Sequence, residues 1–312
     1  MKLGFYGCGN MGEAFLKSVL GQKLFSSSGI LICEKKEERC AQLRDKYGVQ
    51  TTQDPLDLQN CAYLILAFKP QNLADIQFPT SSMIVITMLA GKTIASVKKK
   101  FLSTKVVRIM PNLGQFVGQG MTGVVFDSTA SFTSQEEEIV KNILTSGGKI
   151  LTLESEEKLD QLSTISGSGP AYFFLFAEQL VQTAKQYGFS EEEADLLVRQ
   201  TFLGSAEIMR QNPEDSFALW RERVTSPKGT TEQALRVFQE ADLQKIITEA
   251  AQSALDRTHE LAQEESGLFF SGELFSVYFF QFLSQEIGQN NSNCHYRKKP
   301  RQIHPKFRSM IQ

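Results

Sequence analysis

Apolar residues follow two successive rhythms along the chain. Up to about residue 155 they come in short, almost continuous runs: KLGFY (2–6), ILIC (30–33), AYLILAF (62–68), MIVITM (83–88), KVVRIM (105–110) and MTGVVF (121–126). Helix-like stretches lie between several of them, such as KEERCAQLRDKYG (36–48) and TIASVKKKF (93–101). Apolar strands separated by helices predict a parallel sheet covered on both faces. After about residue 156 the strand signals stop. Residues 170–188, 190–209, 230–241 and 243–263 carry helical periodicity instead. The pattern therefore predicts an α/β N-terminal domain over 1–155 and an all-helical domain over 156–265.

The first of the later helices, PAYFFLFAEQLVQTAKQYG, has Gly169 placed to cap it and Pro170 at a first helical position. Apolar residues cover most of its surface, more than one core-facing stripe needs. Such a helix is buried on several sides, and a helix-to-helix dimer contact is one way to bury it. From 266 to 312 the character changes again. LFFSGELFSVYFFQFL is strongly aromatic, and residues 288–312 carry six Lys/Arg and no Asp or Glu. This tail is expected to be partly disordered, with a nucleic-acid-binding arm as the lesser alternative.

Composition narrows the functional classes. The chain has 312 residues, 41% hydrophobic and 22% charged, as expected of an ordinary globular protein. Lys+Arg 33 against Asp+Glu 35 leaves −2, which disfavours nucleic acid or an acidic membrane as a general partner. The N-terminus lacks a leader pattern, and the longest apolar runs are too short to span a bilayer. A cytoplasmic setting is expected. The five cysteines, Cys8, Cys33, Cys40, Cys61 and Cys294, show no CxxC spacing and fit reduced thiols. With only His259, His295 and His304, a histidine triad or zinc site has little material, and no metal is expected.

The most informative stretch is GFYGCGNMGEAF (4–15). Gly7, Gly9 and Gly12 have GxGxxG spacing, with a strand run before them, a helical pattern after them and a second strand run downstream. In that context the glycines allow a tight turn, close backbone approach to a pyrophosphate and close helix packing. The following helix N-terminus, at Asn10 and Met11, offers N–H groups to phosphates. This is a Rossmann-type dinucleotide loop. After the second strand come Glu34 and Lys35. An acid there binds ribose hydroxyls and favours NAD, whereas a cation binds a 2′-phosphate and favours NADP. Both are present, so the nucleotide stays open.

Two loops of the helical half carry hydroxyls. ISGSGPAYFF (165–174) sets small residues before a helix start. In RVTSPKGTTEQAL (223–235), Thr230 and Gln233 fit a capping box. With Thr230 as cap, Thr231 keeps a free hydroxyl. The N–H groups of Gly229, Thr230 and Thr231 would then face outward as a site for a small carboxylate.

Together these segments resemble the pyrroline-5-carboxylate reductases. GFYGCGNMGEAF, AFKPQNL, MLAGKTI, VRIMPN, GQGMTGV, SGSGPAYFF and RVTSPKGTT match in order across residues 1 to about 262. The resemblance implies a Rossmann domain followed by an all-helical dimerisation domain, a homodimer or higher homo-oligomer, and NADPH as cofactor with NADH possible. It implies reduction of 1-pyrroline-5-carboxylate to L-proline, the last step of proline biosynthesis.

Carried over by position, Gly7, Cys8, Gly9, Asn10, Met11 and Gly12 form the pyrophosphate loop. Glu34 and Lys35 lie near the adenosine ribose, with Ala67, Lys69 and Pro70 flanking it and Ala90 nearby. Met110, Pro111 and Asn112 lie by the nicotinamide. Ser168 and Gly169 line the junction, and Ser226, Gly229, Thr230 and Thr231 hold the substrate. Four features depart from the family pattern: Lys228 replaces a glycine, Leu113–Gly114 replaces Thr-Pro, Asp54 replaces an asparagine, and the tail is extra.

A protonated cyclic imine accepts hydride without a strong protein base, which suits a chain so poor in histidine. Thr231 is the candidate catalytic residue, hydrogen-bonded to the ring nitrogen. The alternatives are a related reductase of another imine or carbonyl acid, and a non-catalytic nucleotide-binding dimer.

Overall fold

The computed structural model describes residues 1–265, apart from 74, 75, 77, 79–82 and 104. The expectations for the tail, 266–312, lie outside the described residues.

Among the described residues, eight strands form one sheet: β1 (Leu3–Tyr6), β2 (Ile30–Cys33), β3 (Gln50–Thr52), β4 (Tyr63–Leu66), β5 (Ile84–Thr87), β6 (Lys105–Met110), β7 (Gly120–Phe126) and β8 (Gly148–Thr152). Their order is β3-β2-β1-β4-β5-β6-β7-β8. The first six strands in this order are parallel, with Leu3 opposite both Ile30 and Tyr63. Four helices complete the domain: α1 (Asn10–Gly21), α2 (Glu37–Tyr47), α3 (Ile94–Phe101) and α4 (Ser134–Thr145).

Alternate strand residues face opposite sides of the sheet, which creates two cores. Leu3, Phe5, Ile30, Ile32 and Ile65 pack with Phe15 and Leu16 of α1 and with Val140 and Ile143 of α4. On the other face, Cys33, Leu64, Leu66 and Val85 pack with Val97 and Phe101 of α3. Strands buried on both faces need an apolar residue at nearly every position, which produces the continuous runs.

The sheet differs from the expectation in two respects. It is mixed, because β7 runs antiparallel to β6, with Met110 opposite Gly123. Residues 111–119 hold only a single 3₁₀ turn (Leu113–Val117) and are too few for a parallel crossover. It also has strands β3 and β8 that no apolar run announced. Both lie at the sheet's edges, and their residues are mostly half-buried or exposed.

Among the described residues, 156–265 hold helices and no strand: α5 (Glu156–Leu162), α6 (Gly169–Gln186), α7 (Glu191–Gln211), α8 (Phe217–Arg223), α9 (Thr230–Glu240) and α10 (Leu243–Glu265). The short α5 and α8 were not expected, since seven residues show barely two turns of periodicity. Arg108 of β6, buried to 2% exposure, anchors α5 to the sheet. Its guanidinium pairs with Glu156 at 3.1 Å and Asp160 at 2.6 Å. Glu156 also accepts the Ile94 N–H at the start of α3, at 2.9 Å. No helix of the described residues is long and apolar enough to cross a membrane.

Candidate active site

The loops after β1, β2, β4, β5 and β6 leave the sheet at one edge, beyond the carboxyl ends of parallel strands. Chain order reverses between β1 and β4, so the crevice of a doubly wound sheet opens there. The three loop glycines do three different things. Gly7 has φ +78°, and a Cβ on it would meet Phe68 Cβ at 2.9 Å. A Cβ on Gly9 would meet nothing within 4 Å, which leaves backbone open to an approaching ligand. A Cβ on Gly12 would strike Ala67 Cβ at 2.9 Å, so α1 lies close against the end of β4. Gly9 caps α1 without a side-chain bond. The N–H groups of Asn10 and Met11 therefore remain available for an anion. These features fit a dinucleotide.

Other residues tie the loop down. Gly7 donates to the Cys33 carbonyl at 2.9 Å. The Cys8 N–H donates to Glu34 Oε1 at 2.6 Å, and Arg39 Nη2 donates to the Cys8 carbonyl at 2.9 Å. Arg39 also pairs with Glu13 of α1, which accepts from Lys46 and Tyr47 as well. Burial opposes the charge on Glu13, but those three donors hold it down at about 2. Burial, against the pull of Arg39, pushes the Cys8 thiol up to about 12, so it stays protonated. Arg39 escaped sequence reasoning because a lone cation inside a charged helix carries no signal.

The remaining nucleotide-side candidates share this edge. Ala67 donates its N–H to the Tyr6 carbonyl at 2.9 Å, the exposed Lys69 follows, and Pro70 opens a 3₁₀ turn. Ala90 is exposed at the turn after β5. Met110 ends β6 beside the buried Pro111. The Asn112 carboxamide oxygen accepts from Gly114 at 3.1 Å and Met121 at 3.0 Å, which fixes the loop that starts there. Asp54 caps a turn by accepting the Leu56 N–H at 2.9 Å.

The SGSG segment corrects an expectation. No free helix start lies before α6, and Gly169 does not cap it. Residues Ser163–Gly167 form a π turn that carries α5 into α6, with Ser168 itself helical. The Ser168 N–H donates to the Ser163 carbonyl, the wide spacing of that turn. Tyr172 Oη holds it by donating to the Thr164 carbonyl at 3.0 Å. A Cβ on Gly167 would come within 3.9 Å of Met110, so this turn stands beside the end of β6. The buried hydroxyl of Ser166, which was not a candidate, has no partner among the described residues. Asn112, Ser166 and Gly169 line an open groove of about 700 Å³, whose wall is otherwise apolar: Leu113, Val117, Phe173 and Phe174.

The 226–231 loop brings a second correction. Gly229, not Thr230, is the N-cap of α9, and no side chain caps it. The Gly229 N–H closes a turn onto the Ser226 carbonyl at 2.9 Å and is not free for a ligand. A Cβ at Gly229 would sit 2.9 Å from that carbonyl, so the close turn displaces the cap by one residue. Thr230 and Thr231 open the helix, Thr230 exposed and Thr231 half-buried. Lys228 holds a left-handed backbone, φ 61°, and its N–H donates to Glu232 Oε2 at 2.6 Å. The main neighbours of α9 are α10 and, through Phe238 against Phe176, α6.

A doubly wound sheet with an open glycine loop, joined to a helical half with a hydroxyl-bearing loop, defines a dinucleotide-dependent oxidoreductase of two-domain Rossmann type. Comparison with known proteins is more specific. Residues 156–261 match the family described as pyrroline-5-carboxylate reductase dimerisation. Residues 2–97 match the family described as NADP oxidoreductase coenzyme F420-dependent. The pyrroline-5-carboxylate reductase of Vibrio alginolyticus is 33% identical over 268 residues, covering 83% of this chain and 97% of that protein. The solved structure of a pyrroline-5-carboxylate reductase from Coxiella burnetii is 31% identical with a TM-score of 0.76, over 84% of this chain and 98% of that one. A Plasmodium falciparum pyrroline carboxylate reductase with NADP bound shares the fold at 24% identity and a TM-score of 0.73, over 84% and 98% of the two chains. The chain belongs to the pyrroline-5-carboxylate reductase family.

Proposed function

We infer that this chain reduces 1-pyrroline-5-carboxylate to L-proline with hydride from NAD(P)H. The observation that carries the reading is one crevice edge with an open glycine loop, next to a largely apolar groove that Asn112 and the Ser166 hydroxyl line. Hydride transfer to the imine carbon is the chemistry the dinucleotide supplies when bound. The protein's task is positioning, because a protonated C=N is already electrophilic and near-attack geometry lies at ~3–3.5 Å.

The loop residues Gly7, Cys8, Gly9, Asn10, Met11 and Gly12 hold the pyrophosphate. Glu34, Lys35, Ala67, Lys69, Pro70 and Ala90 surround the adenosine side, and Met110 and Asn112 face the nicotinamide. On the substrate side, the free N–H groups of Thr230 and Thr231 receive the carboxylate at the α9 N-terminus. Ser226 and Gly229 shape that turn, and Ser168 and Gly169 form the facing wall. Thr231 Oγ1 hydrogen-bonds the ring nitrogen and orients its proton.

The working unit is a homodimer or a larger assembly built on it. Two observations support this. The α6 face leaves Phe173 at 66% and Phe174 at 62% exposure within a single chain. The main neighbours of α9 are helices, not sheet loops, which supports a second copy bringing Thr231 to a glycine-loop crevice. Domain limits of 1–155 and 156–265 follow the change from sheet to helix. The buried thiols of Cys8, Cys33, Cys40 and Cys61 are free, which supports a cytoplasmic setting.

The test is NADPH and NADH oxidation by the purified protein with and without pyrroline-5-carboxylate. Substrate-dependent oxidation is expected. Dinucleotide binding without oxidation by any cyclic imine would overturn the reading.

A further inference from the structure

Glu156 opens α5, and one oxygen of its carboxylate serves two distant elements. Oε1 accepts the Ile94 N–H, the first amide of α3, at 2.9 Å, and Arg108 Nη1 of β6 at 3.1 Å. Arg108 has a second anion in Asp160, one turn along α5, at 2.6 Å. A change at position 156 therefore leaves Arg108 paired but removes the acceptor for Ile94. The first amides of a helix have no partner within it. Thr93 caps α3 by accepting the Ser96 N–H at 3.1 Å, which leaves the Ile94 N–H to Glu156. A second tie lies on the same turn. Gly91 has φ +71°, and a Cβ on it would meet Leu261 Cβ and the Ala262 amide nitrogen of α10 at 3.3 and 3.4 Å. α10 also packs against α5 and the π turn. Residues 88–93, between β5 and α3, are thus held from the helical half by a charge-assisted hydrogen bond and by backbone contact.

We propose that Glu156 is a positioning residue for hydride transfer: it locks the β5–α3 turn to α5 and the π turn, so that the nucleotide side of the crevice and the groove wall keep one spacing. The two ends of this link lie on the two sides of the reaction. The exposed Ala90 sits on the β5–α3 turn. α5 runs without a break into the π turn, which stands beside Met110 at the end of β6 and carries Ser166 into the groove wall. Glu156 acts through the turn and not on the reactants. Its side chain is 30% exposed, whereas that of Arg108 is 2% exposed, so the clamp closes on a buried anchor in the sheet. Hydride transfer is sensitive to such a clamp, because a misplacement of about 1 Å costs on the order of a hundredfold in rate. The proposal rests on the reductase reading given above, with the β5–α3 turn beside the dinucleotide.

Single-turnover stopped flow tests it. The full chain, loaded with whichever of NADH and NADPH it oxidises faster, would be mixed with saturating pyrroline-5-carboxylate and followed by loss of reduced nicotinamide. A merely structural defect lowers the amplitude, which counts competent sites, and leaves the rate constant alone. Glu156→Ala should instead lower the rate constant by about tenfold or more, with dinucleotide affinity within about threefold of wild type. Glu156→Gln keeps a carbonyl oxygen to accept the Ile94 N–H, so its rate constant should stay within about threefold of wild type. A folded Glu156→Ala variant with the wild-type rate constant would overturn the proposal. So would a Glu156→Gln variant as slow as Glu156→Ala, since the Ile94 bond would then not be what matters. Should Glu156→Ala not fold, Glu156→Asp decides: its carboxylate, one methylene shorter, cannot reach both partners, and a wild-type rate constant there would overturn the proposal as well. Wild-type protein that oxidises neither dinucleotide with pyrroline-5-carboxylate would overturn the reductase reading itself, and this proposal with it.

Discussion

The glycine loop before α1 and the 226–231 loop before α9 are both helix starts capped by a glycine, and both leave amide groups free for an anion. The chain supports them very differently. The first is held by β2 through Cys33, by Glu34, by Arg39 from α2 and by Ala67 at the end of β4. The second is held by its own turn, by Glu232 one turn on and by neighbouring helices. Below it lies α6, whose aromatic face is bare in a single chain. Exposed apolar patches of this kind mark interaction surfaces. The comparison teaches that the glycine loop is braced by several distant parts of one chain, whereas the 226–231 loop is braced by its own turn and neighbouring helices, which is why the proposed reading gives the substrate end to a second copy.

The strongest way to break that contrast is to charge the α6 face. Phe173→Glu with Phe174→Glu should give a monomer by analytical ultracentrifugation and lower turnover by more than ~1,000-fold, since both reactants lose their common frame. Dinucleotide binding should stay within about threefold of wild type, because the glycine loop needs no partner. A fully active monomer would show that both ends of the site belong to one copy.

Thr231→Val tests the substrate end alone. Loss of one contact to the ring nitrogen should lower kcat/KM by about 10- to 1,000-fold, for a contact of ~1–4 kcal/mol. Dinucleotide affinity should not move. Unchanged turnover would remove Thr231 from the reaction.

Arg108→Ala probes how the sheet carries the π turn. Removing one side of a buried ion cluster leaves Glu156 and Asp160 without their cation, at a cost of about 3 kcal/mol in stability. Urea unfolding at fixed protein concentration would measure it. Wild-type stability would show that α5 is held by packing alone.

The smallest effect is expected at Lys228, whose left-handed backbone suits glycine. Lys228→Gly should relieve about 1 kcal/mol of strain, partly offset by the greater freedom of unfolded glycine. The change in pyrroline-5-carboxylate KM then shows whether the Lys228 side chain reaches the substrate. An unchanged KM means that it does not.

Much of this architecture was legible in the chain because burial on two faces leaves a plain mark. β1, β2, β4, β5 and β6 lie within apolar runs, β7 starts one residue before its run, and α1 begins at Asn10, inside the glycine motif. The edge strands β3 and β8 left no such mark, since half of each faces water. The direction of β7 was not legible either, because direction depends on the length and path of the connection from β6. At α9, Thr230 and Gln233 matched a capping box, yet the close turn from Ser226 to Gly229 placed the cap one residue earlier.

The sequence by itself determined the change from sheet to helix near residue 155, the glycine loop, and the hydroxyls that the 226–231 loop carries. Each depends on local spacing and on side-chain chemistry that the chain order displays. Only the tertiary structure decided that Glu34 and Arg39 close on one peptide of the glycine loop, and that Arg108 ties α5 to β6. It also decided that α6 presents its aromatic face outward. Residues far apart in sequence make those contacts, through side-chain directions set by packing, and no periodicity records which of many equivalent charges or apolar faces will meet.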